Sequence, residues 1–175
     1  MILRDLFNEG ALFFNKDKYH NAHIKSQQMN QFCQTFSQEN NVDYYSRIFS
    51  FKKKINFEAS AREKRYSELA YFSNKLEVSI VLTAHHLDDQ IETLYMKMLD
   101  NSDWISKIGI RDSLGRIKRP LLDIRKEVIR KTALERKLTW IEDPTNDDIS
   151  IRRNNVRKIL LPKYLKTSPK ISNEL

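Results

Sequence analysis

The stretch SIVLTAHHLDDQIETLYMKML, residues 79–99, decides the fold. Its first six residues, Ser79 to Ala84, form a continuous run with β-branched members, the pattern of a strand buried on both faces. The rest, Leu87 to Leu99, places Leu87, Ile91, Leu94, Tyr95 and Met98 on one helical stripe. In doubly wound sheets ligands gather outside the carboxyl ends of the strands, where each strand passes into a helix. Here that passage carries His85, His86, Asp88, Asp89 and Glu92. At about 100° per residue, His85, Asp89 and Glu92 fall within about 60° of one another, opposite the apolar stripe. With the stripe against a sheet, these three polar groups are expected to face outward along a crevice.

Outward from this stretch, the same alternation recurs in both directions. Ala11 to Asn15 (ALFFN) reads as a strand, and His23 to Glu39 as a helix with Met29, Phe32, Cys33 and Phe36 at helical spacing. Asp43 to Phe51 is aromatic and β-branched enough for a strand, and Phe57 to Lys75 reads as a helix. Further on, Ile117 to Leu122 is expected to be a strand, and Ile124 to Leu138 and Ser150 to Leu161 helices. Strands alternating with helices imply βαβ units. The expected class is α/β, a Rossmann-like, mostly parallel sheet with flanking helices.

Composition narrows the function classes. The 175 residues carry 31 Lys and Arg against 23 Asp and Glu, a net charge of +8. Such an excess suggests a polyanionic partner, nucleic acid above all, with a merely solubilising surface as the alternative. The cations concentrate between Arg111 and Arg136 and between Arg152 and Lys170. A lone cysteine, Cys33, excludes an internal disulfide and a multi-cysteine metal site. No apolar run approaches the roughly 18 residues of a membrane span. The opening MILRDLFNEG has acids where a signal peptide needs a basic start, so a cytoplasmic location is expected.

Each motif also has a plainer reading. Acids in a helix's first turn meet the positive end of its dipole, which suffices for Asp88. HHLDDQIE is not a zinc HExxH, and no cysteine supports a metal. Arg62 and Arg65 in FEASAREKRY read equally as solvated charge. Arg119-Pro120-Leu121-Leu122 followed by Arg125 reads as a strand ending near a helix start. WIEDPTN, residues 140–146, has turn chemistry, with Thr145 or Asn146 able to cap the next helix. Arg153 and Arg157 lie one turn apart on one helical face, with Asn154 beside them.

Taken together and in order, FEASAREKRY, LTAHHLDDQIET, RPLLDIR and EDPTNDDISIRRNNVRKILLP resemble the tRNA(Ile)-lysidine synthetase family of N-type ATP pyrophosphatases, the PP-loop group. The blocks span roughly Glu58 to Pro162. The resemblance implies adenylylation by ATP, with Mg2+, of the wobble cytidine of a CAU-anticodon isoleucine tRNA. Free lysine then displaces AMP to give lysidine. It further implies that Asp89 and Glu92 hold the lysine ammonium and that His85, Arg65 and Arg157 are catalytic. His86, Arg62, Arg119, Arg153 and Asn154 would contact nucleotide or tRNA, and no side chain is expected to be a metal ligand.

Three departures qualify the resemblance. The family's phosphate loop, SGGxDS, needs adjacent glycines so that backbone amides approach the phosphates. Here Gly10, Gly109 and Gly115 stand alone. The expectation is therefore an N-terminally truncated form: a single incomplete PP-loop catalytic domain over residues 1–175, without its first strand and phosphate loop. Ile2 to Phe7 would be the remainder of the following helix, Ala11 to Asn15 the family's second strand, and two apolar strand edges would be exposed. The family's C-terminal tRNA-binding domains are expected to be absent, and Ile151 replaces an aromatic. The alternatives are an inactive remnant that binds RNA or a protein partner, or another PP-loop tRNA-modifying ATPase. The single cysteine disfavours a thiolation enzyme with paired thiols.

Overall fold

A computed structural model describes residues 11–17, 20–50, 57–101 and 109–167. The chain divides into two compact units, residues 1–79 and 80–175. The expected helical remainder at Ile2 to Phe7 lies outside the described residues.

The first unit is a βαβ crossover followed by a helix. Strand β1 (Ala11–Asp17) runs parallel to β2 (Tyr44–Ser50), in register from Ala11 opposite Tyr44 to Asp17 opposite Ser50. Helix α1 (His20–Glu39) makes the crossover, and α2 (Phe57–Lys75) follows β2. All four elements stand where the periodicity placed them, to within three residues. Ala61, Leu69 and Phe72 on α2 are buried. Phe72 meets the Tyr45 ring at 5.8 Å between centroids, and the Arg47 guanidinium lies 5.3 Å from the Phe72 centroid. Arg47 also pairs with Glu68 at 3.8 Å, so one charged side chain covers the rim of the aromatic contact. The α1 end is closed by Ser37, whose carbonyl accepts from the Val42 amide at 3.0 Å and whose hydroxyl donates to the Val42 carbonyl. Cys33 is half-buried on α1, and burial pushes its thiol pKa up.

The second unit holds a three-stranded sheet of order β3-β5-β4. Strand β3 (Val81–Leu82) pairs parallel with β5 (Ile117–Lys118), and β4 (Ser113–Leu114) pairs antiparallel with β5. The β4–β5 hairpin, which alternation alone did not anticipate, turns through Gly115 and Arg116. Gly115 sits at φ +57, the left-handed conformation that two-residue hairpin turns demand. Helix α3 (Leu87–Leu99) has the expected bounds, and α4 spans Lys126–Glu135. A 3-10 turn covers Pro144–Asp147. It is followed by one continuous helical stretch made of α5 (Arg152–Asn155), a π-helical turn (Val156–Leu160) and α6 (Leu161–Thr167).

Four expectations are corrected here. The ladder at Ser79 to Ala84 covers only Val81–Leu82, and Ile80 is 53% exposed rather than buried on both faces. Its partner strand ends early because Pro120 offers no amide hydrogen. The expected strand Ile117 to Leu122 therefore stops at Lys118, and residues 119–124 turn, with Leu122 N–H donating to the Arg119 carbonyl and Ile124 N–H to that of Leu121. The helix expected over Ile124 to Leu138 is shorter at both ends; Lys137 adopts φ 54 just after it. Thr145 and Asn146 lie inside the 3-10 turn, too far before the next helix to stand at its N-cap, which is Ile151. The next helix begins after Ile151, and the Asp148 carboxylate instead accepts from the Ser150 amide at 2.9 Å.

Candidate functional site

The site is built on the N-terminal end of α3. His86 is its N-cap: the Nδ1 accepts from the Asp89 amide at 3.4 Å, and the Asp89 carboxylate accepts from the His86 amide at 3.1 Å. This reciprocal pair satisfies two of the helix's otherwise unpaired amides. Because the helix begins at Leu87, His85 lies before it, and the three-residue face drawn through His85, Asp89 and Glu92 does not form. His85 instead places Nδ1 3.1 Å from the Thr83 hydroxyl. Asp88, on the first turn, accepts from the Lys126 amide at 2.7 Å and pairs with Arg125 at 3.7 Å. The Leu87 amide donates to the Ile124 carbonyl at 3.0 Å. These bonds tie the start of α4 to the start of α3, so Asp88 does more than meet a dipole.

Glu92 is the second correction. Expected to face outward, it is 1% exposed. The cause is the facing helix: Arg157 Nη2 donates to one Glu92 oxygen at 2.9 Å while its Nε binds the other, a fork-on-fork pair. Arg153 adds an Nε contact at 3.5 Å to Glu92 and donates to the Thr93 hydroxyl at 2.7 Å. A buried carboxylate is tolerable only with such partners. Arg157 also reaches Asp89 at 4.0 Å. Its pKa is raised above the usual arginine value, first by the Glu92 hydrogen bond and then by the charges of Glu92, Asp89 and Asp88, against the effect of burial. A cavity of about 230 Å³ opens beside the pair, with Asp88, Arg125, Lys126 and Arg157 over a floor of Ile91, Leu161, Pro162 and Leu165.

The structure thus brings Asp89, Glu92, Arg153 and Arg157 together, with His86 as the cap. It does not bring Arg119 or Asn154 to them. Arg119 is buried and donates to the Arg111 carbonyl at 2.6 Å, holding the hairpin segment. Asn154 is buried and donates to the Asp148 carbonyl at 2.9 Å. Arg62 and Arg65 stand exposed on α2 in the first unit, with the Arg62 guanidinium 4.8 Å from the Tyr66 ring centroid. Sequence reasoning missed Thr83 and Thr93 as hydrogen-bond partners, since nothing in their spacing marks them. It also missed Gln90, which accepts from the Ile110 amide and packs so closely on Gly109 that an added Cβ there would collide with the Gln90 amide group.

Chemically, Asp89 is the carboxylate with acceptor capacity to spare: one oxygen takes the His86 amide and the other is only grazed by Arg157. Glu92, which also lines the cavity, already takes two hydrogen bonds from Arg157 and a longer contact from Arg153. Among the described residues no group of three or more His, Cys, Asp or Glu side chains could hold a metal. Of the α3 carboxylates, Asp88 and Glu92 are engaged by arginines and an amide, and Asp89 alone keeps an oxygen that could meet a cation. The α3 amides do not fit a triphosphate, because Asp88 and Asp89 place negative charge there and the cap is internal.

A family model described as the PP-loop domain matches residues 17–164. The tRNA(Ile)-lysidine synthase of Wigglesworthia glossinidia brevipalpis is 32% identical over 178 residues, covering 98% of this chain and 43% of the relative. That of Enterococcus faecalis is 31% identical over 164 residues, 89% of this chain and 35% of the relative. That of Thermus thermophilus is 39% identical over 107 residues, 61% and 21% respectively. The chain therefore spans less than half the length of these curated relatives. The α/β arrangement, the acid–arginine cluster at a strand-to-helix passage and the extent of the match agree: the chain belongs to the PP-loop domain family.

Proposed function

We propose that this chain is part of an AMP-forming ligase that joins lysine to the wobble cytidine of a CAU-anticodon isoleucine tRNA, giving lysidine. In that reaction ATP, with Mg2+, is the substrate that activates the cytidine, and lysine displaces AMP from the adenylylated tRNA. The observation that carries the reading is the match across 89–98% of the chain to two proteins named tRNA(Ile)-lysidine synthase. The net charge of +8 supports a tRNA partner. A cytoplasmic setting accords with that substrate, and no described helix is long and apolar enough to cross a membrane.

Within this reading the roles of the two acids separate. Asp89 receives the ammonium of lysine, because it retains acceptor capacity and is held in one rotamer by the His86 amide. Glu92 positions Arg157 and Arg153, whose remaining N–H groups face tRNA phosphate or the negative charge that develops as AMP departs. His85, oriented by Thr83, stands at the end of β3 and contacts the nucleotide base. His86, Arg119 and Asn154 serve the second unit as cap and loop anchors; on the first unit, Arg65 acts on phosphate and Arg62 contacts nucleotide or tRNA.

The test separates half-reactions. Protein carrying this chain, alone and fused behind an SGGxDS-bearing strand and loop, is assayed for tRNA-dependent ATP–pyrophosphate exchange and for lysine incorporation into a CAU-anticodon tRNA(Ile) transcript. Asp89→Ala is expected to raise the KM for lysine about 10- to 100-fold, the worth of a charge-assisted hydrogen bond, with exchange changed less than about twofold. Equal loss of both half-reactions would remove Asp89 from lysine recognition. Tight tRNA binding without exchange in either form would favour an RNA-binding module instead.

A further inference from the structure

WIEDPTN, the motif beginning at Trp140, has no part in the acid–arginine cluster, yet its tryptophan is unusual. Trp140 is 43% exposed, and neighbouring Leu138 and Ile141 are 42% and 40% exposed. An exposed indole ordinarily samples several rotamers, but this one is tied down. Its Nε1 donates to the Glu142 carboxylate at 3.1 Å, and the same carboxylate is paired with Arg130 on α4. The Trp140 hydrogen bond and the Arg130 and Lys126 charges all hold the Glu142 carboxyl below its ordinary range. Arg130 stands one helical turn beyond Lys126, which lines the cavity, about 6 Å along the axis. From Arg125 to Glu142 the chain carries six Lys and Arg against three Glu, and Arg130, Lys131, Arg136 and Lys137 are exposed.

A flat aromatic face, fixed by an edge-on hydrogen bond to a carboxylate that Arg130 also holds, in a stretch rich in exposed cations, matches the chemistry of an unpaired nucleobase with its flanking phosphates. Bases stack on such faces while the cations neutralise the backbone. Holding the ring in place before binding lowers the ordering cost at contact. We propose that Trp140 is a stacking platform for an unpaired base of a single-stranded RNA segment, buttressed by Glu142 and Arg130, with the phosphates drawn to the α4 cations. The choice of RNA rather than another polyanion rests on the ligase reading above; the platform geometry does not.

The protein has two tryptophans, Trp104 and Trp140, so Trp104→Phe isolates the signal. In that background an unstructured RNA oligonucleotide should quench Trp140 fluorescence, whereas a duplex of the same length should quench it far less. Trp140→Ala should weaken oligonucleotide binding about 5- to 100-fold, the range one stacked base supplies, and Trp140→Phe should recover most of it. Glu142→Gln, which loosens the buttress while leaving the ring, should fall between. Unchanged affinity for Trp140→Ala, equal quenching by duplex, or quenching that depends on protein concentration without RNA would each overturn the proposal, the last by revealing a protein partner at this face. Failure of lysine incorporation with Trp140-dependent RNA binding intact would refute the ligase reading and leave the platform standing.

Discussion

Removing Arg157 tests whether the buried carboxylate of Glu92 organises the second unit. Glu92 is 1% exposed and takes two hydrogen bonds from Arg157, with Arg153 as a longer contact at 3.5 Å. Breaking a buried ion pair by deleting one partner costs about 3–5 kcal/mol, because the other charge is left uncompensated. Two facts reduce that here: the Arg157 side chain is 29% exposed, and Arg153 remains to take part of the charge. Arg157→Ala is therefore expected to cost about 2–4 kcal/mol. Glu92→Gln keeps the shape and one carbonyl acceptor but removes the acid between two guanidiniums, leaving Arg157 only its 4.0 Å contact with Asp89, at about 1–3 kcal/mol. Glu92→Met with Arg157→Met removes both charges of the pair and leaves only the part-exposed Arg153, so its cost should fall below the sum of the two single Met changes by at least about 1.5 kcal/mol. Urea unfolding followed by tryptophan fluorescence is the assay. Both tryptophans lie in the second unit, so the signal reports on the element in question. With an m-value of about 1–2 kcal/mol/M, Arg157→Ala should move the midpoint by at least about 1 M. A change under about 0.5 kcal/mol, or additive single and double variants, would refute the claim that this pair holds the helix containing Arg157 against α3.

Two smaller outcomes follow from neighbouring contacts. Asp88→Ala removes the acceptor for the Lys126 amide and should cost about 1 kcal/mol by urea unfolding, as for a lost helix cap, while Asp88→Asn, which keeps a carbonyl oxygen, should cost about half or less. No difference between the two variants would show that the bond to α4 contributes nothing. The Glu142 carboxyl is held below its ordinary value of 4.5, chiefly by the Trp140 hydrogen bond. A depressed carboxyl contributes stability that is present above the unfolded value and is lost as pH falls through the folded one. The Trp140 indole N–H resonance should therefore hold steady above about pH 5 and shift only below about 4.5, and Glu142→Gln should abolish that shift. A transition centred above 4.5 would contradict the contact.

Much of this architecture is legible in the chain because it depends on local pattern. Helices Phe57–Lys75 and Leu87–Leu99 have the expected bounds, since their apolar positions recur at the helical period and no proline intervenes. The parallel pairing of Ala11–Asp17 with Tyr44–Ser50 follows from a helix between two strands, which forces a crossover. The spacing places the acids Asp89 and Glu92 on one helical face, though it adds His85 to them, which the structure puts before the helix.

Which of those acids faces a ligand was not legible, because that depends on partners far along the chain. Glu92 and Arg157 are 65 residues apart, and only their packing converts an acid on an apparently outward face into a buried anchor. Asp88 and Lys126 are 38 apart, so the joining of two helix starts is likewise invisible to periodicity. Local chemistry decided where helices and strands form and which residues could be functional. Tertiary structure decided which of them are already satisfied: a carboxylate taken from water must find its counter-charge, and the geometry of that encounter lies in no single window of sequence. Asp89 keeps its capacity, and Trp140 its exposed face, only because other residues were recruited to hold them.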